Sequence, residues 1–310
     1  MRPYFFGIVL TASLGGILRL LILRSDYRQY PTYPHGYISH LSMGFVAAAL
    51  GAVAWPALLE EEFVAVTFLA MAAQQFREIR NLERESLASL DIIELVPRGR
   101  HYIEGIARTF EARNYIIIAC TLTLSAIDLT FLQSQTIFLR IVILGVVTVL
   151  IYFFINFVFP DKRLEDLADI RLGKVHFEGP NVFVDDIHFM NIGLEEAKEE
   201  YLNKALGLVI EPKDIDASAT LANPGQRQAV IHICAKLLGV YKDVDTPEFT
   251  PLMRRHIKSG NLGVLIIPGS GDPQALIAAV KRSPVLEGAM AKPSKSFAGR
   301  EREDYHDTPR

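Results

Sequence analysis

The chain has 310 residues, half of them hydrophobic, and a formal net charge of −3. That length accommodates two units of ordinary domain size, and the slightly acidic balance lacks the basic face or run of a nucleic-acid binder, so no nucleic acid is expected as a partner. Hydropathy is uneven: apolar runs dominate up to Phe159, whereas beyond Pro160 the chain is charged and its apolar stretches are short.

Crossing a bilayer as a helix takes about 20 mostly apolar residues, because lipid cannot satisfy exposed backbone groups. Residues 4–23 form the first such run. Arg2 ahead of an apolar core resembles a signal peptide, but the run is long and no small-x-small cleavage site closes it, so an uncleaved helix is expected. The second run covers residues 38–59. The third, residues 63–76, is short and weakened by Gln74 and Gln75. Residues 115–132 and 137–159 complete about five transmembrane helices. Gly16 four residues after Ala12, Ala48 after Gly44 and Gly51 after Ala47 mark small-residue faces where helices pack closely. Asp128 and Arg140 sit at similar depth on either side of a short turn, and a structural ion pair is expected between them, a proton or substrate path being the alternative.

Basic loops stay on the cytoplasmic side. The connection between the third and fourth runs carries Arg77, Arg80, Arg84, Arg98, Arg100, Arg108 and Arg113, and the first connection carries Arg24 and Arg28. The loops at residues 58–62 and 133–136 have no Lys or Arg, and Lys162 and Arg163 follow the fifth run. Together these place the protein in the cell membrane as a multi-pass chain, N-terminus outside and C-terminus cytoplasmic. Tyr27, Tyr30, Tyr33 and Tyr37 fit an interfacial aromatic belt.

Residues 77–113 mix Glu and Arg around Ile79, Leu82, Leu90 and Ile93, then Tyr102, Ile106 and Phe110, at helical intervals. Pro97-Arg98-Gly99-Arg100 reads as a turn. The segment is expected to be a helical hairpin extending both neighbouring helices, its apolar stripe needing a partner for which the C-terminal domain is the nearest candidate. Tyr102-Ile103-Glu104-Gly105-Ile106-Ala107 spells the string after which the YIEGIA family of membrane proteins from endospore-forming bacteria is named. The chain resembles that family, and the resemblance implies a sporulation-linked membrane protein without supplying an activity. On the residues alone, Gly105 permits a close helix contact and Glu104 is placed to face the C-terminal domain.

A small cytoplasmic α/β or α+β domain is expected over residues 161–287, with a disordered tail over 288–310, where Lys, Ser, Pro, Gly, Arg and Glu prevail. Residues 164–172 are read as continuing the fifth helix, and residues 174–189 as a hairpin turning at Glu178-Gly179-Pro180-Asn181. Residues 194–206 form a helix, residues 224–238 another with Asn223 as cap and Pro224 in its first turn, and residues 251–259 a third. Residues 262–267 form a buried strand, and residues 273–281 a final helix.

Gly269-Ser270-Gly271 lies where a strand meets a helix start and could offer backbone N–H groups to an anion, although no Lys holds the Walker position. The same string with Asp272 is similar to the GxGD core of intramembrane aspartyl proteases, whose chemistry needs two facing aspartates. Asp272 and Asp128 are thus the catalytic candidates on an enzymatic reading, and no complete catalytic set is recognised. Asp185, Asp186 and His188, like His35 and His40, fall short of a metal ligand group. Cys120 and Cys234, the only cysteines, have no metal-binding spacing either and read as small buried residues. No metal or cofactor is expected. The reading that follows is a sporulation-associated membrane protein, in contact with lipid, acting as a cytoplasm-facing docking or regulatory platform for a protein partner through the hairpin and C-terminal domain. The alternative is a membrane-tethered enzyme, hydrolytic in the manner of a protease or acting on an anionic ligand at the Gly269–Asp272 turn.

Overall fold

The structure is a computed structural model and describes residues 2–26, 34–243 and 248–297. The chain divides into two compact units, one of Met1–Ser86 with Ile106–Asp161, the other of Leu87–Gly105 with the chain from Lys162 onward.

The first unit is helical: α1 (Phe5–Asp26), α2 (Pro34–Leu59), the greater part of α3 (Phe63–Asp91) and of α4 (Arg100–Ile127), and α5 (Ile137–Val158). Four helical stretches, Phe5–Leu23, Gly36–Leu59, Arg100–Leu132 and Ile137–Val158, are long and apolar enough to cross a membrane. α3 falls outside that set because its apolar first half passes into the charged sequence after Gln75. Among the apolar side chains packed inside the unit are Leu18, Ile22, Ala47, Ala48, Phe76, Ile117 and Ile155. The outer surface is also apolar, with Phe138, Val146, Leu150, Phe153 and Phe157 of α5 exposed. Small residues let α1, α2 and α4 approach: a Cβ on Gly15 would lie 2.9 Å from that of Ala48, and one on Gly51 would overlap Thr121 Oγ1.

The second unit is built on a four-stranded sheet in the order β1-β5-β7-β6, from β1 (Ala168–Gly173), β5 (Leu206–Pro212), β7 (Leu262–Ile266) and β6 (Leu252–Arg255). A second sheet is the meander β2 (Val175–Glu178), β3 (Asn181–Val184) and β4 (Ile187–Asn191). Every pairing is antiparallel, and the helices pack on the sheet instead of crossing between parallel strands, which makes the unit α+β. Successive side chains of a strand point to opposite faces. Leu208, Ile210, Leu262, Val264 and Ile266 therefore pack toward Val230 and Cys234 of α9 (Pro224–Leu238) and Leu276 and Val280 of α10 (Pro273–Arg282). Val209 and Leu265, one step out of phase, meet Val182, Val184 and Phe189 of the small sheet and Tyr201 of α7 (Glu195–Lys204).

Three expectations are corrected. Residues 251–259 contain β6, because Leu252 and Met253 pair with Leu265 and Val264 of β7. Residues 164–172 do not extend α5. A one-turn helix, α6 (Leu164–Leu167), starts where Asp166 accepts from the Arg163 amide at 2.7 Å, and the chain then enters β1 to pair with β5. The chain beyond 288 is held as far as Ser294: Asp216 of α8 (Ile215–Ala222) binds the Ser294 amide at 2.9 Å and its hydroxyl at 2.6 Å. Residues 298–310 lie outside the described residues, as do Tyr27, Tyr30 and Tyr33.

Candidate functional site

The site begins with the connector between α3 and α4. At the end of α3 the Asp91 carboxylate accepts from the Arg98 amide at 2.7 Å, the Gly99 amide at 2.8 Å and the Arg98 guanidinium at 3.2 Å. Gly99 has φ +79°, a left-handed conformation that a side chain disfavours, so the Pro97–Arg100 turn closes tightly. This loop is part of the second unit's core. Val96 packs with Val230, Ile231 and Ala235, and its carbonyl accepts from His232 Nδ1 at 2.7 Å. Gln228 Oε1 accepts from the Tyr102 amide in the first turn of α4 at 3.3 Å, and the ring of Tyr102 meets that of His232 edge-on. A Cβ on Gly225 would lie 2.9 Å from the carbonyl of His101, so α9 comes close to the connector backbone there. Burial pushes the His232 imidazole below its ordinary pKa, against the opposing effect of its Val96 hydrogen bond. It holds the Cys234 thiol up at about 12, which makes this a packing cysteine without thiolate chemistry.

Beside the connector lies a cleft of about 310 Å³, lined by Val96, Pro97, Pro224, Ile231, Pro251, Leu252 and Met253 with Arg227, Gln228 and Thr250. Arg227 Nε is buried and takes no hydrogen bond partner among the described residues. Burial and the positive charges of Arg255 and Arg254 hold the Arg227 guanidinium below its usual pKa. Among the described residues none of these three arginines is paired with a carboxylate; Arg255 donates to the Ser218 hydroxyl at 3.1 Å.

The family model described as YIEGIA protein matches residues 7–296. The chain belongs to the YIEGIA family. A relative from Bacillus subtilis (strain 168), the uncharacterized protein YphB, is 41% identical over 295 residues, covering 95% of this chain and 97% of its own. No solved structure matches. In this YIEGIA protein the string that gives the family its name runs along the start of α4, with Tyr102, Ile103, Ile106 and Ala107 buried and Glu104 and Gly105 half-buried. A Cβ built on Gly105 would meet nothing within 4 Å, whereas one built on Gly288 would lie 3.9 Å from the Gly105 Cα.

The other residues singled out in the sequence fall elsewhere. Arg140 Nε donates to Asp128 Oδ1 at 2.8 Å and Nη2 reaches Oδ2 at 2.5 Å, a two-pronged pair in which Asp128 is fully buried. Asp128 opens a π-helical turn, Asp128–Leu132, at the end of α4. Nearer the other end of the bundle, Asp26 accepts from Arg19 Nη1 at 2.7 Å and from Arg113 Nε at 2.9 Å. Arg19 Nε and Nη2 and both amide atoms of Asn114 are buried there without a partner among the described residues. His40 meets Glu83 at 3.1 Å; the side chain of His35 lies outside the described residues.

At the Gly269–Asp272 turn the Gly269 and Ser270 amides donate to the carbonyls of Gly239 and Leu238, at 3.3 and 3.2 Å, and are thus already engaged. Asp272 accepts from the Gln274 amide at 2.9 Å and caps α10, with Pro273 at the helix start. Asp185 accepts from the Lys174 amide at 2.7 Å and from Arg171 at 2.6 Å; burial would raise its carboxyl, but these bonds hold it below the usual carboxylate range. No group of three metal-ligating side chains occurs among the described residues.

Sequence reading missed two groups. Arg19 and Asp26 stand seven residues, two helical turns, apart on one face of α1, a spacing that signals their pairing. Arg254 and Arg255 lie in the stretch read as a helix, and they come beside the cleft lined by Arg227 and Met253 only because β6 pairs with β7.

Proposed function

We propose that this protein crosses the membrane five times, N-terminus outside, and holds its second unit on the cytoplasmic side as a docking or regulatory platform. The observation that carries this reading is that Leu87–Gly105 and the chain from Lys162 fold as one unit although α4 and α5 lie between them in sequence. A single folded unit occupies one side of a bilayer, so α4 and α5 leave it and return as a pair. The apolar outer surface of α5 supports lipid contact, since water-exposed apolar patches of that extent are rare. The arginines of the connector and Lys162 and Arg163 support the cytoplasmic side. α3 serves as the fifth crossing: Tyr115 Oη donates to the Ala73 carbonyl at 3.2 Å and Arg80 to Glu111 at 3.0 Å, which supports its lying along α4 within the bundle.

Activity-reporting fusions after Glu61, Ser134 and Phe297 test the arrangement. The first two should report outside and the third inside; a Phe297 fusion active on the far side would sink the reading. The platform role is favoured over an enzymatic one because Asp272 is engaged as a helix cap and Asp128 is held by Arg140. In a spore-forming host, Asp272→Ala should leave sporulation intact and Glu104→Ala should impair it at unchanged protein level. The reverse pattern would favour the enzyme. The link to sporulation rests on family membership, and disruption of the gene tests it directly.

A further inference from the structure

We propose that the cleft beside the connector binds a small organic phosphate, its apolar body against Val96, Ile231, Leu252 and Met253 and its phosphoryl group at Arg227 in the field of Arg254 and Arg255. The proposal deepens the regulatory reading above and rests on it for its biological meaning, though the binding itself does not.

Three observations converge. The cleft volume of about 310 Å³ lies at the small end of ligand pockets, which are mostly apolar with a few placed polar groups, as this one is. Arg227 presents a buried Nε with no partner among the described residues, in a wall that is otherwise apolar but for Gln228 and Thr250. Arg254 and Arg255 follow the lining residue Met253 in β6 and add positive charge at that edge of the cleft, with no carboxylate paired to them among the described residues. Like charges in proximity repel, and the arrangement is stabilised when an anion sits among them. A phosphate monoester carries between about 1.5 and 2 negative charges at neutral pH, against one for a carboxylate, and guanidinium groups bind it through paired N–H donors. The apolar walls require a carbon body on that phosphate.

Occupancy has a consequence for the connector. Val96 and Pro97 form one wall, and Gln228, another lining residue, accepts from the Tyr102 amide at the start of α4. A bound ligand therefore bears on the same side chain that caps the family motif.

The test uses the full chain in nanodiscs of zwitterionic lipid, titrated calorimetrically with phenyl phosphate. Saturable binding is expected, with none for phenol. Arg227→Gln should weaken it roughly tenfold or more, the loss of one charge-assisted hydrogen bond, at unchanged melting temperature. If that variant does not fold, the exposed pair Arg254→Gln/Arg255→Gln carries the same test. Repeating the titration in discs with anionic phospholipid separates the sources: competition assigns the phosphate to a lipid headgroup, and its absence to a soluble metabolite, either of which keeps the proposal. No saturable binding of phenyl phosphate, equal binding by the arginine variants, or inorganic phosphate binding as tightly as phenyl phosphate would overturn it. Binding with no change in amide exchange at Tyr102 would leave the site standing and remove its regulatory meaning.

Discussion

His232 Nδ1 lies 2.7 Å from the carbonyl oxygen of Val96, a residue 136 positions earlier in the chain. With the acceptor a carbonyl, the imidazole nitrogen must carry the proton, and burial keeps the ring neutral. Because its pKa is lowered in the fold from the ordinary 6.5, the unfolded chain takes up a proton first as pH falls. Stability is therefore full above the ordinary pKa and declines as pH drops below it, levelling once the folded pKa is passed. Thermal melts of the full chain from neutral to mildly acidic pH should show this decline, and His232→Gln should reduce it. At neutral pH, His232→Ala should cost about 1–3 kcal/mol by leaving the buried Val96 carbonyl without its donor.

Asp26 answers two buried arginines at once, so its neighbours are not equivalent. Removing the carboxylate with Asp26→Ala leaves Arg19 and Arg113 facing one another and should cost about 3–5 kcal/mol. Arg19→Met, of similar volume, leaves the Arg113–Asp26 pair neutral and should be far milder. Melting temperatures of the two variants in detergent decide the order. An Asp26→Ala/Arg19→Met double variant more stable than Asp26→Ala alone is the signature of the shared charge.

The Asp128–Arg140 pair predicts a similar asymmetry between breaking and reversing. Asp128→Ala or Arg140→Ala strands a buried charge or its cavity, costing about 3–5 kcal/mol. Exchanging the two residues keeps both charges and should retain more protein in the membrane than either single change, measured by quantitative blotting of membrane fractions. Equal loss in all three would mean the pair does not clamp the helices.

Glycines in the bundle separate into packed and open ones. At Gly51 a Cβ would overlap Thr121 Oγ1 and crowd the Ile118 carbonyl, so Gly51→Val should cost about 1–3 kcal/mol or more by overpacking. At Gly145 a Cβ meets nothing within 4 Å, and Gly145→Ala should be neutral or gain up to about 1 kcal/mol through helix propensity. The retained fraction after heating in detergent distinguishes the two.

Local signals were readable where the physics is local. The turn at Glu178–Asn181, the Asn223 cap that accepts from the Gly225 amide at 2.8 Å, and Asp128 facing Arg140 twelve residues on all involve neighbours in the chain. The misreading of residues 251–259 as a helix has the opposite origin. Arg254-Arg255-His256-Ile257-Lys258 carries no strand alternation, and Leu252 and Met253 become a strand only because β7 offers an unpaired edge. Likewise the Gly269–Ser270 amides looked available from their Gly-rich string, and what engages them is the end of α9 thirty residues earlier.

What the sequence determined by itself is where the chain resists water: its apolar runs, its arginine-bearing connections and the family string at Tyr102–Ala107 are written in consecutive residues. Only the tertiary structure decided that the connector belongs to the C-terminal unit, that Val96 lies in its core, and that Arg227 lines one cleft with Met253, the neighbour of Arg254 in β6. The physical reason is range. Hydrophobicity and capping act over a few residues, whereas burial of the connector depends on contacts such as Val96 with His232, 136 positions apart, and the placing of the arginines on the pairing of β6 with β7, which no local pattern encodes.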